Sequence, residues 1–272
     1  MSMITQLHYD NTNTYIIHGD KGAIMFDTGW AGTLPRMYQE FGEKAIRLSD
    51  IKYLLISHYH PDHMGIAQEI ADKGVTILVM ESQVEYLHAS DKVFEKDKRY
   101  AFRPIDDKAA KVLAFSESRN FLQSLGIQGC IIPTPGHSDD SVSLILDEGA
   151  ALVGDLYPLY ELEAHEEPGV QESWELILSY QPKKVYYGHA KTAVLQEDKA
   201  AVQESDNVQK NNELYHTVKQ IMRYIDKGMS IDKIAGKLKV EREFVNDVCR
   251  MYLTHQNVGV QGILDRIEIK GR

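Results

Sequence analysis

Short apolar runs alternate with polar turns and with helix-like spacing over the first three quarters of the chain. Residues 52–57 form a nearly continuous apolar run, which is typical of a strand that is covered on both faces. Residues 13–18 and 23–27 flank a Gly-Asp-Lys-Gly turn, which predicts a β-hairpin. Further strands are predicted at residues 75–80, 130–133, 141–146, 150–154 and 184–187, and helices at residues 62–71 and 171–180. The order of these elements predicts a mixed α/β fold.

The segment from residue 81 to about residue 125 is polar, has helical spacing and carries a highly charged stretch at residues 92–99. One interpretation is a solvated helix followed by its loop. The other is a lid, because Tyr100, Phe102 and Pro104 interrupt the helical pattern with aromatic loop chemistry. The pattern leaves both interpretations open.

After about residue 204 the pattern changes to short amphipathic helices. Helical spacing predicts helices at residues 214–227, 231–238 and 241–252, with Gly228 ending the first and Ser230 capping the second. Residues 258–269 contain a glycine turn and an apolar ending, as a small wing would. We therefore predict two domains, residues 1–204 and a winged-helix-like domain at residues 205–272.

Composition places the chain among globular proteins, and charge argues against some classes of binding partner. At 272 residues, with 43% hydrophobic and 26% charged residues, the chain can bury a large core. The net charge of −10 argues against a general binder of nucleic acid or of anionic membranes. The tail has 12 basic and 9 acidic residues, so its charge is about +3 and that of residues 1–204 is about −13.

The sequence shows no pattern typical of a signal peptide, a membrane span or a disulfide framework. The first residues lack a basic stretch followed by an apolar core, and no apolar run reaches membrane-spanning length. Cys130 and Cys249 are too few for a disulfide framework. We therefore predict a cytoplasmic protein that does not associate with membranes.

Potential metal ligands follow several of the predicted strands, and four of them lie in one hexapeptide at residues 58–63. Strand ends converge on one edge of a sheet sandwich, where loops can shape a cleft. A packed chain would not bury so many imidazoles and carboxylates without a cation or mutual pairing. The pattern predicts a metal site, and its candidate ligands are His58, His60, Asp62, His63, His137, Asp155 and His189.

The spacing of these ligands resembles the signature of the metallo-β-lactamase superfamily. That signature is His-x-His-x-Asp-His followed by a His, an Asp and a His on later strands, and a first motif is found at Asp27 in Phe-Asp-Thr-Gly. The resemblance covers roughly the first three quarters of the chain. It implies a four-layer αββα sandwich of two sheets with helices outside. It does not specify the substrate, because this scaffold hosts many activities.

The resemblance also implies how the ligands divide between two metal ions. His58, His60 and His137 would hold one ion, and Asp62, His63 and His189 would hold the other, with Asp155 bridging both. Asp62 would in addition relay a proton to the leaving group. Asp27 and Ser57 would orient a ligand imidazole or its loop.

Nitrogen and carboxylate ligands without sulfur suit Zn²⁺, and they also suit Fe or Mn. The diiron redox branch of the superfamily usually carries Glu where this chain has His60, which favours zinc hydrolysis. Two ions roughly 3.5–4 Å apart can hold a hydroxide for attack on a carbonyl carbon or phosphorus. We therefore expect a binuclear hydrolase in which Asp62 and Asp155 take part in catalysis.

The predicted substrate is a small ester, thioester or lactone. Tyr59, Tyr157 and Tyr160 are the candidates to line its pocket. One alternative is a phosphodiesterase or nuclease of the same superfamily, which the winged-helix pattern of the tail favours and the net charge opposes. Another is a DNA-binding regulator that retains a metal site, although acidic residues open the third tail helix. The tail can instead pack against the pocket or form a homodimer.

Overall fold

The computed structural model describes residues 3–96, 101–159, 168–195, 208–254 and 263–264. Within these residues the strands form two sheets. The first sheet contains β1 (Met3–Leu7), β2 (Thr14–Gly19), β3 (Gly22–Phe26), β4 (Ile51–Leu55), β5 (Thr76–Met80) and β6 (Ala110–Leu113). The second contains β7 (Gly129–Pro133), β8 (Val142–Leu146), β9 (Ala150–Leu152), β10 (Lys184–Tyr186) and β11 (Ala193–Val194).

Strand order places the ends of several central strands side by side. The first sheet runs β1-β2-β3-β4-β5-β6, antiparallel up to β3 and parallel from β3 to β6. The predicted hairpin is confirmed, since Gly19 pairs with Gly22 across the β2–β3 turn. The second sheet runs β11-β10-β9-β8-β7, and among the described strands of this sheet only the β9–β10 pair is parallel.

Successive side chains of each strand point to opposite faces of its sheet. Each sheet therefore packs against one layer on each of its two faces. In β2, Ile16 packs with the outer helices, whereas Ile17 faces the second sheet. The layer between the sheets contains Leu55 and Leu78 of the first sheet and Leu144 of the second. The helices of residues 1–204 are α1 (Leu34–Glu43), α2 (Pro61–Met64), α3 (Ala67–Ala71), α4 (Asp91–Lys96), α5 (Ser118–Ser124) and α6 (Pro168–Ser179).

Helix α6 covers the outer face of the second sheet, where Trp174 and Ile177 pack against Val185. Helix α1 covers the outer face of the first sheet through Met37 and Phe41. Helix, sheet, sheet and helix therefore stack in that order. The predicted αββα sandwich is confirmed, and most predicted strands agree with the observed ones within two residues.

The single helix predicted at residues 62–71 is wrong, because the chain forms two short helices, α2 and α3, on either side of Gly65. The backbone of Gly65 packs directly on the segment before α1: its N–H donates to the Gly29 carbonyl at 2.9 Å. A Cβ at this position would lie 2.3 Å from Ala31 N. Tertiary packing therefore breaks the helix where its apolar spacing alone predicts continuity.

The polar stretch from residue 81 to 125 is less helical than predicted. It contains two short α-helices, several 3₁₀ turns and strand β6, in which only Leu113 is buried. An edge strand with so little buried surface leaves no alternating apolar pattern in the sequence. Phe94 of α4 is buried and stacks on Phe102 with 4.0 Å between ring centroids. Residues 97–100 lie outside the described part, so the lid remains a prediction.

The tail forms three helices, α7 (Val208–Asp226), α8 (Ile231–Leu238) and α9 (Arg242–Thr254). The second and third lie close to the predicted ranges, whereas α7 begins at residue 208 instead of the predicted residue 214. They enclose a hydrophobic cluster of their own that includes Val218, Ile234 and Val248. The predicted wing falls mostly outside the described residues, apart from Ile263 and Leu264, which join that cluster. The winged-helix form and the domain boundary remain predictions. Among the described helices, none is long and apolar enough to cross a membrane.

A histidine links α4 to the turn that precedes β6 and should make stability depend on pH. His88 Nδ1 lies 2.9 Å from Asp91 Oδ2, and its Nε2 lies 2.9 Å from Asp107 Oδ1. The bond to Asp107, together with the bond to Asp91, outweighs the opposing effect of burial and raises the pKa of His88. A raised folded-state pKa means that the stabilisation is present below about pH 6.5 and is lost as the pH rises through the folded pKa.

We therefore expect His88→Gln to lower the free energy of unfolding at pH 5.5 and to change it little at pH 9. The side chain is 48% exposed, so solvent screening limits the difference to about 0.5 kcal/mol. Urea unfolding of both proteins at the two pH values measures it. A difference that is larger at pH 9 than at pH 5.5 would contradict the assignment.

Candidate metal centre

The predicted ligands come from loops that follow the strands of both sheets. Asp27 directly follows β3, and residues 58–63 follow β4 and lead into α2. His137 lies between β7 and β8, Asp155 follows β9, and His189 follows β10. The structure brings the seven predicted ligands together at one edge of the sandwich in three overlapping groups, and the ligand atoms of each group lie within 4.8 Å of one another. Asp27, which was predicted to orient a ligand, belongs to none of these groups.

The first group consists of three imidazoles. His58 Nε2 lies 2.9 Å from His60 Nδ1, and His60 Nδ1 lies 3.1 Å from His137 Nε2. Nitrogen atoms bound to one tetrahedral zinc at about 2.0 Å are about 3.3 Å apart. The three nitrogen atoms therefore already converge at nearly the spacing that a shared ion requires.

The second group combines a carboxylate with two imidazoles. Asp62 Oδ2 lies 2.9 Å from His189 Nε2 and 4.0 Å from His63 Nε2. His63 is fully buried and His189 is nearly so, while the Asp62 side chain is 13% exposed. Asp62 is therefore the member of this group that solvent and substrate reach most easily.

Asp155 lies between the two groups and is almost fully buried. Its Oδ1 is 3.3 Å from His63 Nε2, and its Oδ2 is 3.4 Å from His189 Nε2. The same Oδ2 is 3.7 Å from His137 Nε2 in the first group. A single carboxylate thus faces imidazoles from both groups, which is the arrangement that a bridging ligand needs.

Hydrogen bonds at the back of the imidazoles fix which ring nitrogen points into the site. Asp27 Oδ2 lies 2.9 Å from His63 Nδ1, and the same oxygen accepts from Ser57 Oγ at 2.8 Å. Ser57 Oγ is also 3.0 Å from His58 Nδ1. His189 Nδ1 contacts the Asn11 carbonyl at 2.9 Å. Such contacts orient metal-binding imidazoles and increase their basicity.

Burial and mutual charge set the protonation of the cluster. Burial, with the neighbouring imidazoles, lowers the pKa of His58 well below its usual value. Burial lowers the pKa of His137 to about 4. Burial also opposes the charge on His63, but the carboxylates of Asp155, Asp27 and Asp62 outweigh it and raise its pKa. Neutral imidazoles are the form that binds metal.

The two carboxylates of the site remain ionised. Burial alone would raise the pKa of Asp155, but the adjacent His189 and His63 lower it well below its ordinary value. The pKa of Asp62 is lowered in the same way by His63 and His189. Together with the imidazoles of His58 and His137, whose pKa burial lowers, these carboxylates form a donor set suited to a divalent cation.

Two observations bear on whether the residues fit a cation. His63 Nε2 and Asp155 Oδ1 face each other without hydrogen-bond geometry, and neither has another hydrogen-bond partner in the part of the chain that is described. Leaving such buried atoms unpaired costs about 1–3 kcal/mol each. A Cβ at Gly188 would lie 2.5 Å from Asp155 Oδ1. Glycine therefore leaves this carboxylate its space, and the residues fit a metal.

The three tyrosines predicted at the pocket have different outcomes. Tyr59 does not line an open cleft, because its ring is 1% exposed and belongs to the hydrophobic core. The alternation that turns His58 and His60 into the site turns the residue between them away from it. Tyr157 packs edge-on against His137 with 5.8 Å between ring centroids, so it can border the site. Tyr160 lies outside the described residues.

Two buried polar residues at the site were not predicted from the sequence. Asn13 Nδ2 donates to the Tyr187 and Ala190 carbonyls, both at 3.0 Å, and so holds the loop that carries His189. Asp140 Oδ2 accepts from the backbone N–H of Tyr59 at 2.6 Å. Their partners lie 81 or more positions away in sequence, and short polar residues in loops give no local signal of such contacts.

An αββα sandwich with clustered His and Asp ligands at one edge of its sheets defines a class of metal-binding α/β proteins. A family model described as the metallo-beta-lactamase superfamily matches residues 9–189. The chain belongs to this superfamily, and the resemblance inferred from its motifs is confirmed. Members of the superfamily are mostly metallo-hydrolases.

Similar proteins are found by sequence and by structure. The chain is 27% identical to the beta-lactamase-like protein 2 homolog of Drosophila melanogaster over 190 residues. That match covers 65% of this chain and 58% of the fly protein. BLEG-1 B3 metallo-beta-lactamase is 21% identical with a TM-score of 0.54, covering 71% of this chain and 94% of that one.

A second solved structure, TTHA1623 in a di-iron-bound form, is 19% identical with a TM-score of 0.52. The match covers 68% of this chain and 90% of that one. At these identities the two structures establish the shared fold. The chain spans somewhat over half the length of the fly relative.

Proposed function

We propose that this protein is a metal-dependent hydrolase with two divalent ions at the site formed by the seven clustered ligands. The observation that carries the proposal is Asp155, whose two oxygens face imidazoles of both ligand groups. Seven ligands also exceed what one tetrahedral ion can use. Zinc suits the donor set, and Fe or Mn would fit it as well. Bound there, the ions would lower the pKa of a water and polarise the bond to be cleaved.

The chain's own residues would divide the work. The first group would hold its ion through imidazoles alone, and the second group would hold its ion through Asp62, His63 and His189. Asp27 and Ser57 keep Nδ1 of His63 and His58 occupied, so that the opposite ring nitrogens face the site. Asp62 directs Oδ2 toward His189. As the more exposed carboxylate, it would accept the proton that the attacking water gives up and donate that proton to the leaving group, so that it ends ionised as it began.

The substrate class we propose is a small ester, thioester or lactone. A body charge of about −13 disfavours long polyanions, because they would be repelled before reaching the site. The edge of Tyr157 against His137 offers an apolar wall beside the ligands. These features support a small, uncharged acyl group, and they leave its identity to experiment.

A metal analysis combined with a substrate panel tests the proposal. We expect close to two transition-metal ions per chain after reconstitution with zinc, iron or manganese, measured by elemental analysis. The reconstituted protein should hydrolyse members of a thioester and lactone panel faster than phosphodiesters. As a matched control, His189→Ala should bind one ion fewer, because its second group is incomplete.

Protein that binds no transition metal after reconstitution would refute the metal centre itself. Two bound ions with phosphodiester cleavage as the main activity would instead keep the centre and replace the substrate class. The second outcome would favour the phosphodiesterase or nuclease alternative.

A further inference from the structure

We infer that Asp140 is a positioning residue for the first ligand group, holding the backbone between His58 and His60 in the geometry that a metal ion requires. The inference rests on the proposed metal centre and adds a residue to it. Asp140 is 2% exposed and lies three residues after His137. It therefore belongs to the loop that supplies the third imidazole of the same group.

The Asp140 side chain connects two ligand-bearing loops. Its Oδ2 accepts the backbone N–H of Tyr59 at 2.6 Å, and its Oδ1 accepts the hydroxyl of Ser138. The Ser138 contact fixes the carboxylate within its own loop, and the Tyr59 contact reaches across to the other. A buried N–H without this acceptor would cost about 1–3 kcal/mol.

Tyr59, which lies between the ligands His58 and His60, is fixed at its N–H, its carbonyl and its ring. Its N–H is bound by Asp140, and its carbonyl accepts the hydroxyl of Ser90. Its ring is buried in the hydrophobic core. Gln83 adds a third connection, since its Nε2 donates both to the Asp140 carbonyl at 3.1 Å and to the Ile56 carbonyl at 2.9 Å.

These contacts explain why the ring nitrogen atoms of the first ligand group already lie close together. An extended residue fixed at its N–H, carbonyl and ring sets the direction of the two side chains that flank it. The 2.9 Å separation of His58 Nε2 and His60 Nδ1 therefore depends on the Tyr59 backbone. Because Asp140 also lies in the loop of His137, it sets the distance between that loop and the other two ligands.

The second ligand group has different supports. Asp27 contacts His63, the Asn11 carbonyl contacts His189, and Thr12 Oγ1 donates to the Asp62 carbonyl at 2.8 Å. Each of these contacts lies outside the loop of Asp140. Loss of the Asp140 carboxylate should therefore weaken one of the two ions and spare the other.

Zinc titration against a chromogenic chelator tests this on the full-length protein. For Asp140→Ala we expect the affinity for one ion to fall about 10–100-fold, as is typical when a contact that supports a ligand is lost. The affinity for the other ion should change less than about threefold. Asp140→Asn retains an oxygen that can accept the Tyr59 N–H, so it should recover much of the loss.

Two control variants separate positioning from general effects. Asp139→Ala removes the same charge from the exposed neighbouring residue and should leave both affinities unchanged. Ser118→Ala removes a buried oxygen that accepts the Ile131 N–H elsewhere in the fold, and it should lower stability without selective loss of an ion. If Asp140→Ala does not fold, Ser138→Ala and Asp140→Asn carry the test, each with a smaller selective loss expected.

The outcomes are distinguishable from failure of the metal centre. Wild-type protein that binds none of zinc, iron and manganese would refute the proposed metal centre and the positioning role with it. Wild-type protein that binds two ions, with Asp140→Ala binding both as tightly, would refute only the positioning role. Equal weakening of both ions, or the same loss in Asp139→Ala, would also refute it.

Discussion

Replacement of Asp155 by alanine is expected to reduce turnover more than 100-fold while the fold persists. The carboxylate faces His63, His189 and His137 at 3.3–3.7 Å, so its loss removes a carboxylate that faces the metal-binding nitrogens of both groups. Loss of a contact that only supports a ligand already lowers metal affinity or activity about 10–100-fold. The sheets are held by apolar burial away from this carboxylate, and they should remain folded.

Initial rates on a verified substrate, metal content and thermal unfolding measured together check this expectation. Asp155→Asn is the matched variant, because it keeps the shape of the side chain and removes its charge. It should retain the fold and bind metal more weakly than the wild type. Near-wild-type turnover by Asp155→Ala would show that the two ligand groups do not work through a shared carboxylate.

Replacement of Asp27 by alanine is expected to give the largest loss of stability among single substitutions at the site. This carboxylate is fully buried and accepts from Ser57 N at 2.6 Å, from Ser57 Oγ at 2.8 Å and from His63 Nδ1 at 2.9 Å. Breaking a buried charged pair of this kind costs about 3–5 kcal/mol. Its φ of +62° adds to the cost, because alanine tolerates the left-handed region less well than aspartate.

Urea unfolding of the metal-free protein measures this loss without a contribution from bound ions. Asp27→Asn keeps one acceptor oxygen and tolerates the positive φ, so it should lose only about 1–3 kcal/mol. The exposed Asp20→Ala should stay within about 0.5 kcal/mol of the wild type. A loss below about 1 kcal/mol for Asp27→Ala would show that water or a rearranged Ser57 replaces its hydrogen bonds.

The sandwich and the grouping of the ligands could be predicted from the sequence for physical reasons. The central strands are buried on both faces, so they leave apolar runs such as residues 52–57. Ligand residues that follow the ends of strands come close together when those strand ends lie along one edge of the sandwich. The short edge strands β1, β6 and β11 could not be predicted, because few of their side chains are buried.

The supports of the site were harder to predict than its ligands. Asn13 and Asp140 act through contacts across 81 to 177 positions, and their residue types are common in ordinary turns. The break at Gly65 depends on the approach of another backbone segment, which no local pattern contains. Tyr59 could have been assigned correctly, since the alternation that pairs His58 with His60 points it the other way.

The hydrogen bonds between residues 11–13 and the loop of His189 have a consequence for biosynthesis. The Asn13 N–H donates to the Gly188 carbonyl at 2.7 Å, so the first hairpin of the chain closes on a segment made much later. At about 5–20 residues per second, the ribosome needs roughly 7–26 s to proceed from residue 58 to residue 189. During that interval the first four ligands have emerged without their later partners. Complete loading of the proposed metal centre would therefore follow translation of almost the entire sandwich.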